Sequence, residues 1–482
     1  MSRSPLQFFE DISAIPRPSG HMEAIAAFVT ARAEDADCRW ARDEAGNVTV
    51  YVPASAGYET CGTVMLQGHL DMVATKTARS THDFVKDPIE LIYDGDILTA
   101  NETTLGADDG SAVAIMLAVL DDVSLAHPAL ELVFTVDEEA GLLGADQMDC
   151  SGLAAKYMIN IDSPKEGTLI VGCAAGKRWH MSVPYAPLKA AGTRLDIALE
   201  GLRGGHSGED AHRGRPNANI LLGRVLLALA EAFPARLAAF RGGSQDNAIA
   251  PSASASLFLP SDAGADARAF RSKAEELISE EEKKWKESEP GMLWSVELSE
   301  GETESAGREE TLRMLGLLAE LPCGVVKWSD EFPGLVHTSA NVGVIRMKEG
   351  RFMASSHLRA LTPEGMKLVS DMSEAAADKF GADKEMAAEY PGWVPSKNSA
   401  FLAKAVEVFT DMYGHAPKVE VIHAGLECGI ISSKMPGIDA ISMGPDLWDL
   451  HSPDERMSVS SFERVYDYTV KLLAAMDADS GL

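Results

Sequence analysis

The sequence predicts an α/β protein: a discontinuous domain with a mainly parallel central sheet flanked by helices, interrupted by an inserted α+β domain. Three observations carry this. Strand-like and helix-like segments alternate through the first third, the pattern of a parallel sheet with crossover helices. The middle third reads differently, with a glycine-rich loop, long helices and charge-rich stretches. The C-terminal stretch then returns to the first pattern. These set the first domain at 1–185 with 385–482, and the insertion at 186–384. A chain of 482 residues has room for such an arrangement.

In order along the chain, 46–52 (GNVTVYV) and 63–68 (TVMLQG) read as strands. Residues 109–122 (DGSAVAIMLAVLDD) carry apolar residues at helical spacing. The runs 130–136 (LELVFTV) and 156–162 (KYMINID) are short and nearly all apolar, as in strands buried on both faces. A strand near 194–200 leads into GLRGGHSGEDAHRG, and a helix over 216–233 follows with Pro216 in its first turn. Residues 264–288 form a highly charged helix, and 288–310 mix turn residues and acids in an exposed segment. A strand, a helix and two further strands fill 293–358. A helix over 398–413, the strand DAISM and a closing helix near 461–476 complete the chain.

Composition narrows the function. Net charge is −30, from 43 basic and 73 acidic residues, so the basic footprint of a nucleic-acid protein is missing. Apolar runs fall short of the ~18 residues needed to cross a bilayer. The start, MSRSPLQFFEDISAIPRPSG, has acids and prolines where a signal peptide carries its apolar stretch. Six scattered cysteines without a CxxC pair suit a reducing cytoplasm.

Five segments carry chemistry. In GHLD, His69 and Asp71 lie two apart on a strand end and point the same way, so Asp71 can orient the imidazole; the same pattern also closes a strand with a polar turn. Asp108 and Asp109 precede a helix, where acids either cap it or let one carboxylate bridge two cations ~3.5–4 Å apart. Asp137, Glu138 and Glu139 follow a buried strand. Charge there needs a partner or a metal unless the loop is solvated; one acid can ligate while its neighbour acts as a base. Asp162 ends the next strand, and His451 sits in WDLHSPDE, whose acids read as a turn and a helix start. Taken together, His69, Asp108, Glu139, Asp162 and His451 offer a mixed nitrogen and oxygen set that suits two Zn2+ ions; Mn2+ or Co2+ also fit. No GxSxG elbow and no P-loop occurs.

With these motifs in view, the chain resembles the di-zinc peptidase family that includes carnosinase, tripeptide aminopeptidase and carboxypeptidase G. Within it the likeness is to the dipeptidase group. It runs almost end to end, through Ile15–Ser19, GHLDMV at 68–73, LGADDG at 105–110, DEEAGLLGA at 137–145, GGHSG at 204–208, HAGLECG at 423–429 and HSPDE at 451–455. The resemblance implies that His69 and Asp162 hold one zinc and Glu139 and His451 the other, with Asp108 bridging and the Asp108–Asp109 peptide cis. It implies that Asp71 orients His69 and that Glu138 is the general base toward a metal-bridging water. His206 is the lid histidine that polarises the scissile carbonyl, and Asn247 and Arg359 grip the substrate's terminal carboxylate. The implied activity is hydrolysis of short peptides with a free N-terminus, Xaa-His dipeptides among them. A tripeptide aminopeptidase or related amide hydrolase is the alternative, and a non-catalytic binding protein the rival from another class. The first domain becomes the catalytic di-metal domain and the insertion a lid. A homodimer through the lid is expected, with His206 serving its own site or a neighbour's. The chain departs from the pattern at Gly110, where many relatives carry Lys, and at Ala175, where Gly is commoner.

Overall fold

The computed structural model describes residues 3–330, 332–396, 398–477 and 482. The chain forms two compact units. The first is Met1–Cys173 with Trp393–Val421 and Leu426–Leu482; the second is Ala174–Gly392 with Ile422–Gly425.

The first unit is built on an eight-stranded sheet in the order Arg39–Arg42, Val48–Val52, Leu130–Thr135, Val64–His69, Tyr157–Asn160, Asp439–Ser442, Thr168–Cys173, Lys418–Ile422. Its central four strands are parallel. The pairings of Val48–Val52 with Arg39–Arg42 and Leu130–Thr135, and of Asp439–Ser442 with Thr168–Cys173, are antiparallel, so the sheet is mixed and its parallel character is confined to the centre. Parallel neighbours need a crossover, and the helix Ala107–Asp121 is one, buried on nearly every side from Gly110 to Leu120. The register pairs His69 with Thr135 and Gln67 with Asn160. The residues that follow these strands therefore leave the sheet at one edge, the carboxyl edge where α/β sheets place their sites. A small antiparallel sheet pairs Leu91–Asp94 with Ile97–Ala100, Ile97–Ala100 with Arg456–Ser458, and Arg456–Ser458 with Leu447–Trp448. It suspends residues 449–455 as a hairpin loop.

The second unit is built on a nine-stranded sheet whose pairings among the described residues are antiparallel. The helices Ala218–Ala232, Ala267–Trp285 and Arg308–Glu320 bury Leu222, Leu226, Phe270 and Leu315 against Leu237, Leu257 and Phe352 of the strands.

Three expectations change. Ala175–Pro184 pairs with both Arg351–Ala360 and Asp383–Tyr390. All three strands therefore belong to the second sheet, and the units divide at 173/174 and 392/393 rather than at 185/186 and 384/385. Within 288–310, the strand expected from 293 forms as Leu293–Ser305, an edge strand paired with Leu188–Glu200 along its length and largely exposed as expected, so that only the turn reading of these residues changes. Pro216 lies outside the helix. Asn217 is the cap, accepting the Asn219 N–H at 2.9 Å, and its Nδ2 donates to Asn341 Oδ1 and Val342 O at 3.0 Å. Asn217→Ala is expected to cost about 2 kcal/mol, the cap plus buried acceptors left unpaired. The urea midpoint should fall with an unchanged m-value; an unmoved midpoint would show that this cap contributes nothing.

Candidate metal centre

His69 ends its strand almost wholly buried. Its Nδ1 lies 3.1 Å from Asp71 O and 3.4 Å from Asp71 Oδ1, and its backbone N–H donates to Asp109 Oδ2 at 3.0 Å. Asp71, fully buried, does more than orient this ring. Its Oδ1 accepts the Glu138 N–H at 3.0 Å; its Oδ2 accepts the Glu139 N–H at 3.2 Å and the Ser19 hydroxyl at 2.7 Å. Burial pushes the Asp71 carboxyl up, but His69, Ser19 and the Glu138 N–H together bring it below the ordinary carboxylate value. One ionised group thus fixes both the imidazole and the loop that carries the paired glutamates.

Asp108 stands between two imidazoles. Its Oδ1 is 3.1 Å from His69 Nε2 and its Oδ2 is 3.1 Å from His451 Nε2. His451 Nε2 is also 3.0 Å from Glu139 Oε1, yet this buried oxygen has no hydrogen bond. A ring nitrogen carries one proton and cannot donate to both carboxylates. Donor atoms within 4.8 Å of one another form three groups: His69 with Asp109 and Asp162, His69 with Glu138 and Glu139, and Asp108 with Glu139 and His451. The five residues expected as ligands fall within these groups. Asp109, given no role from sequence, stands with Asp162.

The electrostatics fit a cation. Burial, then neighbouring acids, push Asp109, Glu138 and Asp162 well above the ordinary carboxylate range, and Glu139 above it. Burial opposes the charge on His451, but Asp108 and Glu139 raise it to about 11. A buried site with this excess of negative charge and converging lone pairs is chemically incomplete without positive charge.

Three further buried groups support the donors. Glu427 is fully buried, accepting from Gln67 Nε2 and, at 2.7 Å, from the Thr135 hydroxyl; burial raises it to about 7. Glu455, read as part of a turn and helix start, is instead buried, and the helix begins at Val459. Arg17 is buried on the carbonyls of Leu70, Asp71 and Gly106. A Cβ on Gly110 would come 2.5 Å from Arg17 Nη2, so the glycine that departs from the family pattern makes room for this guanidinium. Their presence inside quoted motifs was the one available signal.

The remaining expected residues lie in the second unit. His206 sits in a two-residue strand paired with Ala248–Ile249. Its Nδ1 accepts the Glu209 N–H at 3.1 Å, so a neutral ring carries its proton on Nε2. Arg359 Nη2 is 3.4 Å from that Nε2, and Nη1 donates to Tyr390 Oη at 2.8 Å. Arg359 is buried with its Nε unsatisfied, and among the described residues no carboxylate pairs with it. Asn247, half-buried, accepts the Ser207 N–H at 2.8 Å through its carbonyl. Tyr390 and His357 were not singled out from the sequence. Gly176 and Gly425 leave the space that the Tyr390 ring fills, since a Cβ would come within 2.1 and 2.6 Å of it.

The family profile Peptidase family M20/M25/M40 matches residues 65–475. The cytosol non-specific dipeptidase of Escherichia coli is 35% identical over 483 residues, covering 99% of each chain. The aminoacylhistidine dipeptidase of Vibrio alginolyticus superposes with a TM-score of 0.82 at 37% identity, covering 98% of this chain and 96% of that one. A Staphylococcus aureus tripeptidase shares the fold, with a TM-score of 0.60 at 16% identity over 99% of each chain. The chain belongs to peptidase family M20/M25/M40.

The histidines around Arg359 yield a pH prediction. Burial, then Arg359, His337 and His206, lower His423 to about 3. Burial, then Arg359 and Arg178, hold His357 well below its ordinary value. Below about pH 6.5 the unfolded chain binds protons at these rings that the folded one refuses. Stability is therefore fully present above that pH and falls on acidification, by roughly 1.4 kcal/mol per pH unit per ring, until pH nears the folded value. The urea midpoint should fall between pH 6.5 and 4 and fall less steeply in His423→Gln; equal slopes would contradict the assignment.

Proposed function

We propose that the chain is a metal-dependent dipeptidase that hydrolyses short peptides with a free N-terminus, Xaa-His dipeptides among them. One observation carries the metal part: His451 Nε2 lies within 3.1 Å of oxygens from both Asp108 and Glu139 while holding at most one proton. His69 and Asp162 would hold one zinc and Glu139 and His451 the other, with Asp108 shared; Mn2+ or Co2+ suit the same donors. Bound there, the cations supply Lewis acidity toward the carbonyl and a more acidic water.

The protein's residues supply the rest. Glu138 takes a proton from the attacking water and delivers it to the amine nitrogen as the C–N bond breaks. Its backbone N–H is held by Asp71, which anchors the loop that carries it. His206, with its proton on Nε2, donates to the carbonyl oxygen as negative charge develops. Arg359 is a buried cation without a carboxylate partner among the described residues, and the peptide's terminal carboxylate supplies one, with Asn247 as a further donor.

The E. coli relative's name supports a cytoplasmic enzyme, as do the six cysteines, which form no disulfide among the described residues. No helix among the described residues is long and apolar enough to cross a membrane. A homodimer through the second unit is supported by its outer strands, where Leu293 and Met386 are exposed.

Glu138→Gln should retain two zinc ions per chain while kcat falls by at least about 100-fold; an unaffected rate would remove Glu138 as base. On a panel of dipeptides, tripeptides and acylated dipeptides, turnover should centre on free dipeptides. Preference for tripeptides or acylated substrates favours the alternative hydrolase, and no turnover with zinc bound favours a binding protein. Arg359→Lys should raise KM for dipeptides at least about 10-fold and have little effect on their amidated analogues; equal effects on both would contradict the carboxylate role.

A further inference from the structure

We propose that Glu455 is a positioning residue of the metal centre: its carboxylate, seated on four consecutive backbone N–H groups, holds the His451 hairpin against the Asp108 turn, and Arg17 ties that turn to the His69 strand. The proposal rests on the two-cation reading.

Glu455 Oε2 accepts from Leu105 N at 2.8 Å and Gly106 N at 3.0 Å; Oε1 accepts from Ala107 N at 2.8 Å and Asp108 N at 3.3 Å. Four amides in a row turned toward one point form an anion-binding nest. Here the anion is a side chain from far along the sequence, four residues beyond His451. The last of the four amides belongs to Asp108 itself. Arg17 Nη1 donates to the carbonyls of Leu70 and Asp71 at 3.0 and 3.2 Å, and Nη2 donates to that of Gly106. The N–H groups of the 105–108 turn thus go to Glu455, while the Gly106 carbonyl goes to Arg17. Three ligand-bearing segments, ending in His69, Asp108 and His451, meet at this one latch.

The hairpin needs such a tether. His451 is half-exposed and has a left-handed φ of 61°. Apart from the His451 ring's contacts with Asp108 and Glu139, the hydrogen bonds of 449–454 among the described residues are internal to the hairpin: Ser452 Oγ to Asp449 O, Asp454 N to Ser452 Oγ, Glu455 N to Ser452 O, and Arg456 to Asp449. Ligands must be held to within a few tenths of an ångström for a cation to be shared. A purely structural cap would not distinguish His451 from any other residue. Glu131 provides the comparison: it too is a buried carboxylate on backbone amides, those of Ala154 and Ala155 at 2.8 and 3.1 Å, and it belongs to no donor group.

The test compares full-length wild type, Glu455→Gln and Glu131→Gln, each stripped with a chelator and titrated with zinc against a chromophoric chelator. Urea unfolding of the metal-free proteins is measured alongside. Glu455→Gln should bind one zinc as wild type does and the second about 10–100-fold more weakly. At saturating zinc its kcat should fall with KM little changed. Glu131→Gln should lose stability yet bind both ions normally. Wild-type affinity for both ions in Glu455→Gln, or equal weakening of both, would overturn the proposal. If Glu455→Gln does not fold, Glu455→Asp, whose shorter carboxylate cannot reach all four amides, is scored by the same outcomes. A wild type that takes up fewer than two ions would instead overturn the two-cation reading, and this proposal with it.

Discussion

The Asp108 carboxylate, with one oxygen on each of two imidazoles, is the constraint around which the first unit is organised. Its neighbours are acids that burial and mutual repulsion push toward their neutral forms. Left alone, such a cluster would protonate or draw in water. The structure instead spends buried polar groups on fixing it. Asp71 holds His69 and the Glu138–Glu139 backbone, Glu427 is held by Gln67 and Thr135, and Glu455 lies on the Asp108 turn. Such a heavily tethered anionic cage is built for positive charge to enter.

The fold supplies convergence. Three parallel strands in matched register end together, so residues far apart in sequence leave the sheet at one edge. His451 arrives by another route, on a hairpin whose Arg456–Ser458 strand pairs with Ile97–Ala100 just before the Asp108 turn. In the second unit an antiparallel sheet positions a different chemistry. Arg359 lies among His206, His357 and Tyr390, and no acid among the described residues pairs with it.

Much of this was legible in the sequence because it follows strand periodicity. His69 and Asp71 share a face two residues apart, and acids after apolar runs such as 130–136 and 156–162 mark strand ends. The supports were hidden for a physical reason. Glu455 is bound by backbone N–H groups at 105–108, and backbone groups leave no side-chain signature. Arg17 is recruited to carbonyls at Leu70, Asp71 and Gly106, equally silent in the sequence. Turn residues and acids obscured the length of the strand Leu293–Ser305, because an exposed edge strand has few buried positions to mark it. Pro216 looked like a helix start, yet the Asn217 side chain takes the cap and moves the start one residue beyond it.

The central claim is that Asp108 is shared by two cations. Crystals of the zinc-loaded protein, with anomalous differences recorded on both sides of the zinc edge, test it most directly. The account predicts two peaks about 3.5–4 Å apart, one beside His69 and Asp162, the other beside His451 and Glu139, with Asp108 between them. A single peak, or two peaks with Asp108 bound to neither, would contradict it.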